Sequence, residues 1–136
     1  MLYFAYGSNL NRFQMKRRCK DSVFLKKINL KDFKLTFRSK YRAADIENKK
    51  GSLVPGAMFD ISKSDEKKLD VYEDYPILYK KYYFTYQKKQ IMTYTMVKKT
   101  SFMFPTERYL NIIKRGYKDC KLNLIYLRKA LINQQH

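Results

Sequence analysis

Acidic residues are scarce in this chain, so their placement is informative. Six of the twelve, Asp60, Asp65, Glu66, Asp70, Glu73 and Asp74, fall between positions 60 and 74. Of these, Glu73 has the surroundings for proton transfer. It stands near the expected C-terminal end of a short helix, where the helix dipole disfavours negative charge. Asp70 lies three positions earlier on the same face and Asp74 is adjacent, so like charges oppose ionisation. Val71, Tyr72, Tyr75, Pro76 and Ile77 offer an apolar wall. All three effects raise a carboxyl pKa toward the range in which a glutamate can take and return a proton near neutral pH. The same residues also fit a solvated helix-end carboxylate that balances Lys67 and Lys68.

A second constellation opens the chain. In "YFAYGSNL", Tyr3 to Leu10, an apolar strand runs into Gly7-Ser8-Asn9, a turn that cannot continue it. A strand that stops there and gives way to a helix points consecutive backbone N–H groups at one spot. That spot suits a carboxylate, an amide oxygen or a phosphate. Gly7 permits close backbone approach, and Ser8 and Asn9 add side-chain donors. An ordinary Asn-capped turn is the plainer account of the same spacing.

Other chemistry is excluded by residue type. The only histidine is His136, so a Ser-His-Asp or Cys-His arrangement has no base. Cys19 and Cys120 are far apart and make neither a disulfide framework nor, with one terminal histidine, a usual zinc site. Neither a Walker loop nor a GxGxxG motif is present. Carboxylates, tyrosines, lysines and backbone amides remain. An enzyme built from them is a general acid/base catalyst with no cofactor, no metal and no covalent intermediate.

Elements must position these groups. Leu2 to Tyr6 reads as a buried strand, followed by a helix capped by Asn9 with Leu10, Phe13 and Met15 on its apolar face, ending near Cys19. Phe33 to Phe37 alternates as a half-buried strand. A further strand lies within Gly51 to Ile61, bent or bulged at Pro55-Gly56. Ser64 is expected to cap a helix that must end before Pro76. Tyr79 to Tyr86 and Ile91 to Val97 form a hairpin across Gln87–Gln90. Two helices close the chain, one after Pro105 with Gly116 near its end and one carrying Leu124, Leu127 and Leu131. Without regular βαβ alternation, the reading is a single α+β domain over residues 1–136.

The net charge of +18 raises nucleic acid as a possible partner. Lysine far outnumbers arginine and its pairs are scattered through the chain, which favours a solvated basic surface. In "YKKYYFTYQKK" aromatics and cations interleave as in single-strand binders, or as in a hairpin with aromatics inward and lysines outward. No apolar run spans a membrane and no signal-peptide pattern begins the chain, so the expectation is a reduced cytoplasmic protein.

"YFAYGSNL", "LKDFKLTF", "RAADI", "VPGAMFDI", "LDVYEDYP" and "PTERYLNIIKRGY", in that order, closely resemble the γ-glutamylcyclotransferase superfamily. The resemblance implies a small mixed β-barrel flanked by helices. It also implies an enzyme that folds a γ-glutamyl amide onto itself, releasing 5-oxoproline and an amine or amino acid without a cofactor. Glu73 matches the family's catalytic glutamate. Tyr6, Gly7, Ser8, Asn9 and Leu10 match the loop that holds the glutamyl end. Tyr79 resembles the tyrosine that helps close the pocket, and Tyr94 is a weaker match. The implied partner is a small γ-glutamyl amide, bound by a monomer or homodimer. After Gly116 the chain reads "YKDCKLNL" in place of the family's Gly-Leu-Pro connection, which leaves the amine side of the substrate open.

Overall fold

A computed structural model describes residues 1–133; His136 lies outside them. The short apolar strand β1 (Leu2–Ala5) sits at the centre of a five-stranded sheet. It is antiparallel to β3 (Ala43–Asp60) and parallel to β5 (Lys89–Met96). The outer strands β2 (Val23–Arg38) and β4 (Tyr79–Tyr86) are antiparallel to β3 and β5, giving the order β2-β3-β1-β5-β4. A strand flanked on both sides and covered on both faces must be apolar throughout, which is why Tyr3, Phe4 and Ala5 are all buried.

The expected α+β class holds, with one difference in the barrel. No backbone ladder joins β2 to β4, so the sheet is open. Its two edges meet through side chains instead. Phe33 on β2 and Tyr82 on β4 have ring centroids 5.5 Å apart. Lys26 Nζ donates to Gln87 Oε1 at 3.2 Å and lies 5.3 Å from the Tyr86 ring centroid. The sheet curls until its edges touch, and side-chain contact does at the seam what hydrogen bonds do in a closed barrel.

The Phe33–Phe37 and Gly51–Ile61 segments extend into one long β2–β3 ladder. Its register shifts fall between Phe24 and Lys26 and between Lys31 and Phe33, the second where the β3 partner passes from Leu53 to Asn48, and not at Pro55-Gly56. Gly56 has a different task. A Cβ there would lie 2.4 Å from the Ala5 carbonyl oxygen and from the Phe4 ring, so only glycine lets β1 lie against β3. The β4–β5 turn is tighter than expected, with Gln87 (φ 49°) and Lys88 (φ 66°) left-handed as a two-residue hairpin requires.

Helix α1 (Arg12–Arg18) is capped by Asn11, whose Oδ1 accepts from the Gln14 N–H at 3.1 Å. Asn9 does not cap it, because Ser8–Leu10 first forms a separate 3-10 turn. Met15 is buried, but Phe13 is 69% exposed and does not belong to the apolar face. Helix α2 (Lys63–Tyr72) starts at Ser62 rather than Ser64, through a capping box in which Ser62 and Asp65 each bond the other's backbone N–H. It ends with Glu73 as C-cap, ahead of Pro76 as the proline demands. Helix α3 (Glu107–Asp119) is capped by Thr106 and buries Leu110, Ile113 and Tyr117. Helix α4 (Ile125–Asn133) buries Leu127 against the core. Among the described residues, no helix is long and apolar enough to cross a membrane.

Gly116 lies inside α3, where the helix rests directly on the 3-10 turn. A Cβ there would be 2.6 Å from Asn11 N, Leu10 C and Leu10 Cβ. Those are backbone and core atoms, so the turn itself must move. Gly116→Ala is therefore expected to cost about 1–3 kcal/mol, as overpacking does. Thermal denaturation checks this, and an unchanged midpoint would refute the close contact.

Candidate active site

A cavity of about 470 Å³ opens where β1 ends. Tyr6, Gly7, Ser8 and Asn9 form one wall, the end of α2 with Glu73 another, and Tyr79, Tyr94 and Tyr109 complete it. Two segments separated by more than sixty residues in sequence thus share one space, because β1 pairs with β3, and β3 leads directly into α2. Of the residues expected at the site, Tyr6, Gly7, Ser8, Asn9, Glu73 and Tyr79 line this cavity, as does Tyr94. Leu10 is not on the wall. It is fully buried beneath Gly116, and its N–H is taken by the Gly7 carbonyl at 3.0 Å.

Glu73 is partly buried at the cavity wall, and its carboxyl is pushed up to about 7. Burial is the cause, and the positive charge of Arg18 opposes it. The expected like-charge repulsion is not what raises it. Asp70 is engaged elsewhere, 3.1 Å from Lys81 Nζ and accepting the Tyr94 hydroxyl at 2.6 Å. Asp74 is exposed. Of the expected apolar wall, Val71 and Tyr72 line the cavity with Glu73, although Val71 is 82% exposed, while Ile77, 74% exposed, lies off it. Tyrosines from other elements supply the rest. Tyr3, Tyr6, Tyr79, Tyr94 and Tyr109 all have raised pKa values, first through burial and further through the charge of Glu73. They are neutral hydroxyls at physiological pH.

Most of those hydroxyls hold the frame. Tyr6 donates to the Tyr94 carbonyl at 2.7 Å. Tyr79 donates to the Ala44 carbonyl at 2.6 Å, while the Ala44 N–H donates to Tyr109 at 3.0 Å. Two tyrosines thus clasp the backbone of one residue near the start of β3. Tyr79→Phe leaves that carbonyl without its donor and is expected to cost about 1–3 kcal/mol in a chemical-denaturation curve. No loss of stability would show that another donor serves the carbonyl.

The turn holds its own surprise. The Asn9 side chain is spent within the protein, its Nδ2 donating to Tyr3 Oη at 3.0 Å and its Oδ1 accepting from Arg18 Nη1 at 2.5 Å. Ser8 Oγ lies 3.1 Å from the Tyr72 hydroxyl and accepts from Arg18 Nη1 at 3.3 Å. These side chains anchor the turn rather than face outward as free donors. Among the described residues, the backbone N–H groups of Gly7, Ser8 and Asn9 have no partner. That leaves three adjacent donors at a cavity that also holds a carboxyl group poised near neutrality.

The sequence reading did not select Arg18, Tyr3 or Tyr109, and placed Tyr72 only in an apolar wall. Arg18 was visible only as one of a basic pair at a helix end, and the tyrosines lay among many. In the tyrosine-rich strand β4, Lys81 turns inward to Glu66 (2.9 Å) and Asp70, while Tyr83 is 47% exposed. The simple aromatics-in, lysines-out hairpin does not hold there. Cys19 and Cys120 are buried free thiols, pushed up by burial to about 12 and about 11, so neither is a ready nucleophile.

The sequence matches the family described as gamma-glutamyl cyclotransferase, AIG2-like, over residues 3–116, a span that includes every element lining the cavity. A solved structure named Gamma-glutamyl cyclotransferase aligns with a TM-score of 0.81 at 28% identity, over 96% of this chain and 85% of its own. An uncharacterized protein from Homo sapiens aligns with a TM-score of 0.79 at 28% identity, over 95% of this chain and 85% of its own. YkqA from Bacillus subtilis shares the fold, with a TM-score of 0.78 at 22% identity over 99% of this chain and 54% of its own. No curated protein matches the sequence. The chain belongs to the gamma-glutamyl cyclotransferase, AIG2-like family.

Proposed function

We propose that this protein cleaves a γ-glutamyl amide by cyclisation, with Glu73 as general acid and base. The substrate's α-amino nitrogen attacks its own γ-carbonyl carbon while Glu73 accepts the proton from nitrogen. The C–N bond to the leaving amine then breaks, and Glu73 returns the proton to that amine. The products are 5-oxoproline and a free amine or amino acid; no water, electrons or cofactor enter the balance. The Gly7, Ser8 and Asn9 N–H groups serve as the donors for the substrate carboxylate or for the oxyanion of the tetrahedral intermediate. Tyr79 closes the pocket by clasping Ala44.

One observation carries this reading: a carboxyl group raised to about 7 shares a cavity with three unpaired backbone N–H groups. A base with that pKa is matched to proton transfer near neutral pH. Attack within one molecule needs mainly orientation, which a tyrosine-walled cavity supplies. Membership of the family supports the same chemistry. The test is 5-oxoproline release from a panel of γ-glutamyl amides, including γ-glutamyl amino acids, glutathione and γ-glutamyl-ε-lysine. Turnover of at least one amide is expected. A folded protein that releases 5-oxoproline from none of them would overturn the reading.

A further inference from the structure

We infer that Arg18 is a positioning residue that acts through Glu73, one guanidinium holding both the Gly7–Asn9 turn and the helix end that carries the glutamate. Nothing in the reaction calls for an arginine at the end of α1, yet this one is tied on two sides. Nη1 donates to Asn9 Oδ1 at 2.5 Å and to Ser8 Oγ at 3.3 Å. The guanidinium carbon lies 3.6 Å from the centroid of the Tyr72 ring. Tyr72 closes the circuit, its hydroxyl 3.1 Å from Ser8 Oγ. Tyr72 is the last residue of α2 and Glu73 is its C-cap. Arg18, Ser8 and Tyr72 therefore form a ring of contacts between the donor turn and the base.

The geometry is specific to arginine. A planar cation can stack on a ring while its edge donates hydrogen bonds in a fixed fork; an ammonium has neither the plane nor the fork. The charge matters as well. The other titratable groups around the glutamate are the tyrosines, and burial keeps Tyr3, Tyr6, Tyr79, Tyr94 and Tyr109 neutral. Asp45 on β3 is paired with Arg38 and Lys99, and Asp70 on α2 is paired with Lys81 from β4. Asp74 is exposed. Arg18 is left as the cation that opposes the burial of Glu73. Without it, the glutamate would stay protonated to higher pH and less of the base would be ionised at neutrality.

This inference rests on Glu73 being the base, so its test reads the glutamate directly. The chain has four glutamates, Glu47, Glu66, Glu73 and Glu107, and carbon-13 labelling of their carboxyls with Glu73→Gln for assignment follows Glu73 through a pH titration. In Arg18→Met the Glu73 midpoint is expected to rise by about one pH unit, the lower end of what an opposite charge does to a neighbouring carboxylate. At pH 7 that lowers the ionised fraction, and kcat/KM, about fivefold, with recovery at higher pH. Arg18→Lys keeps the charge and loses the fork, so the midpoint holds while KM rises. If Arg18→Met does not fold, Arg18→Gln retains a donor for Ser8 and Asn9 and is expected to show the same rise. A Glu73 midpoint that stays at its wild-type value in the neutral variants overturns the inference. If the wild type turns over no amide, the cyclotransferase reading fails while the titration still decides the role of Arg18.

Discussion

Glu73→Gln is expected to leave a folded protein whose 5-oxoproline release has fallen by about a hundredfold to ten-thousandfold, the range that a positioned acid/base contributes. The same variant should be the more stable one. In the folded chain Glu73 titrates at about 7, against 4.5 for an unperturbed glutamate. Between those values the folded state holds a proton that the unfolded state has released. Wild-type stability therefore falls as pH rises from about 4.5 to about 7, and the full penalty persists above 7. Its ceiling is about 3 kcal/mol, lowered by the water that reaches a partly exposed carboxylate. Glu73→Gln does not carry this penalty. It should exceed the wild type in denaturation midpoint at pH 8 and match it near pH 4. Wild-type activity should rise with pH through a limb near 7. A glutamine variant that keeps wild-type turnover would remove Glu73 from the chemistry. A stability difference that ignores pH would show that its carboxyl is not raised.

Loss of Asp45 should bring the largest fall in stability of any single change considered. Asp45 is completely buried and its carboxylate serves three partners: Arg38 Nε at 3.0 Å, Lys99 Nζ at 2.9 Å and the Met96 N–H at 2.9 Å. The Arg38 contact is an ion pair without hydrogen-bond alignment. Arg38 is itself buried, and also donates to the Thr100 carbonyl at 2.9 Å and to Glu47. Removing the aspartate leaves a buried guanidinium short of its counter-charge and a backbone N–H with no acceptor. Asp45→Ala is expected to cost about 3–5 kcal/mol in urea or guanidinium denaturation. Asp45→Asn, which can still accept from Met96, should cost less. Arg38→Met combined with Asp45→Leu should cost less than Asp45→Ala alone, since no charge is left stranded. Additive losses in the double variant would show that the two residues do not act as a pair. Because the backbone of Ala44, next to Asp45, is clasped by Tyr79 and Tyr109, the ion network also holds one wall of the cavity.

Four of the six acids that drew attention in the sequence divide among three tasks. Asp65 completes the capping box of α2. Glu66 and Asp70 hold Lys81. Glu73 faces the cavity. Their clustering falls on the helix whose end lines the cavity. The glutamate's pKa is raised by burial among tyrosines from other elements, not by the acids beside it.

From sequence alone, local physics determined the strand that stops at a glycine, the helix that must end before Pro76, and the tyrosine-rich hairpin. Side-chain periodicity, capping chemistry and the geometry of proline act over a few residues and are written in order along the chain. The case against histidine- and cysteine-based catalysis was equally legible, because it rests on one terminal histidine and two cysteines far apart in the chain. Tertiary structure alone decided that Asn9 and Ser8 anchor the turn, that Leu10 lies in the core, and that the sheet meets at a side-chain seam. It also decided that Arg18 reaches toward Glu73. Those outcomes depend on pairings such as Ser8 with Tyr72, Asn11 with Gly116 and Asp45 with Lys99, whose partners lie more than fifty residues apart. No local pattern encodes which distant side chain will arrive; burial and electrostatics act on whatever the fold brings within a few ångströms.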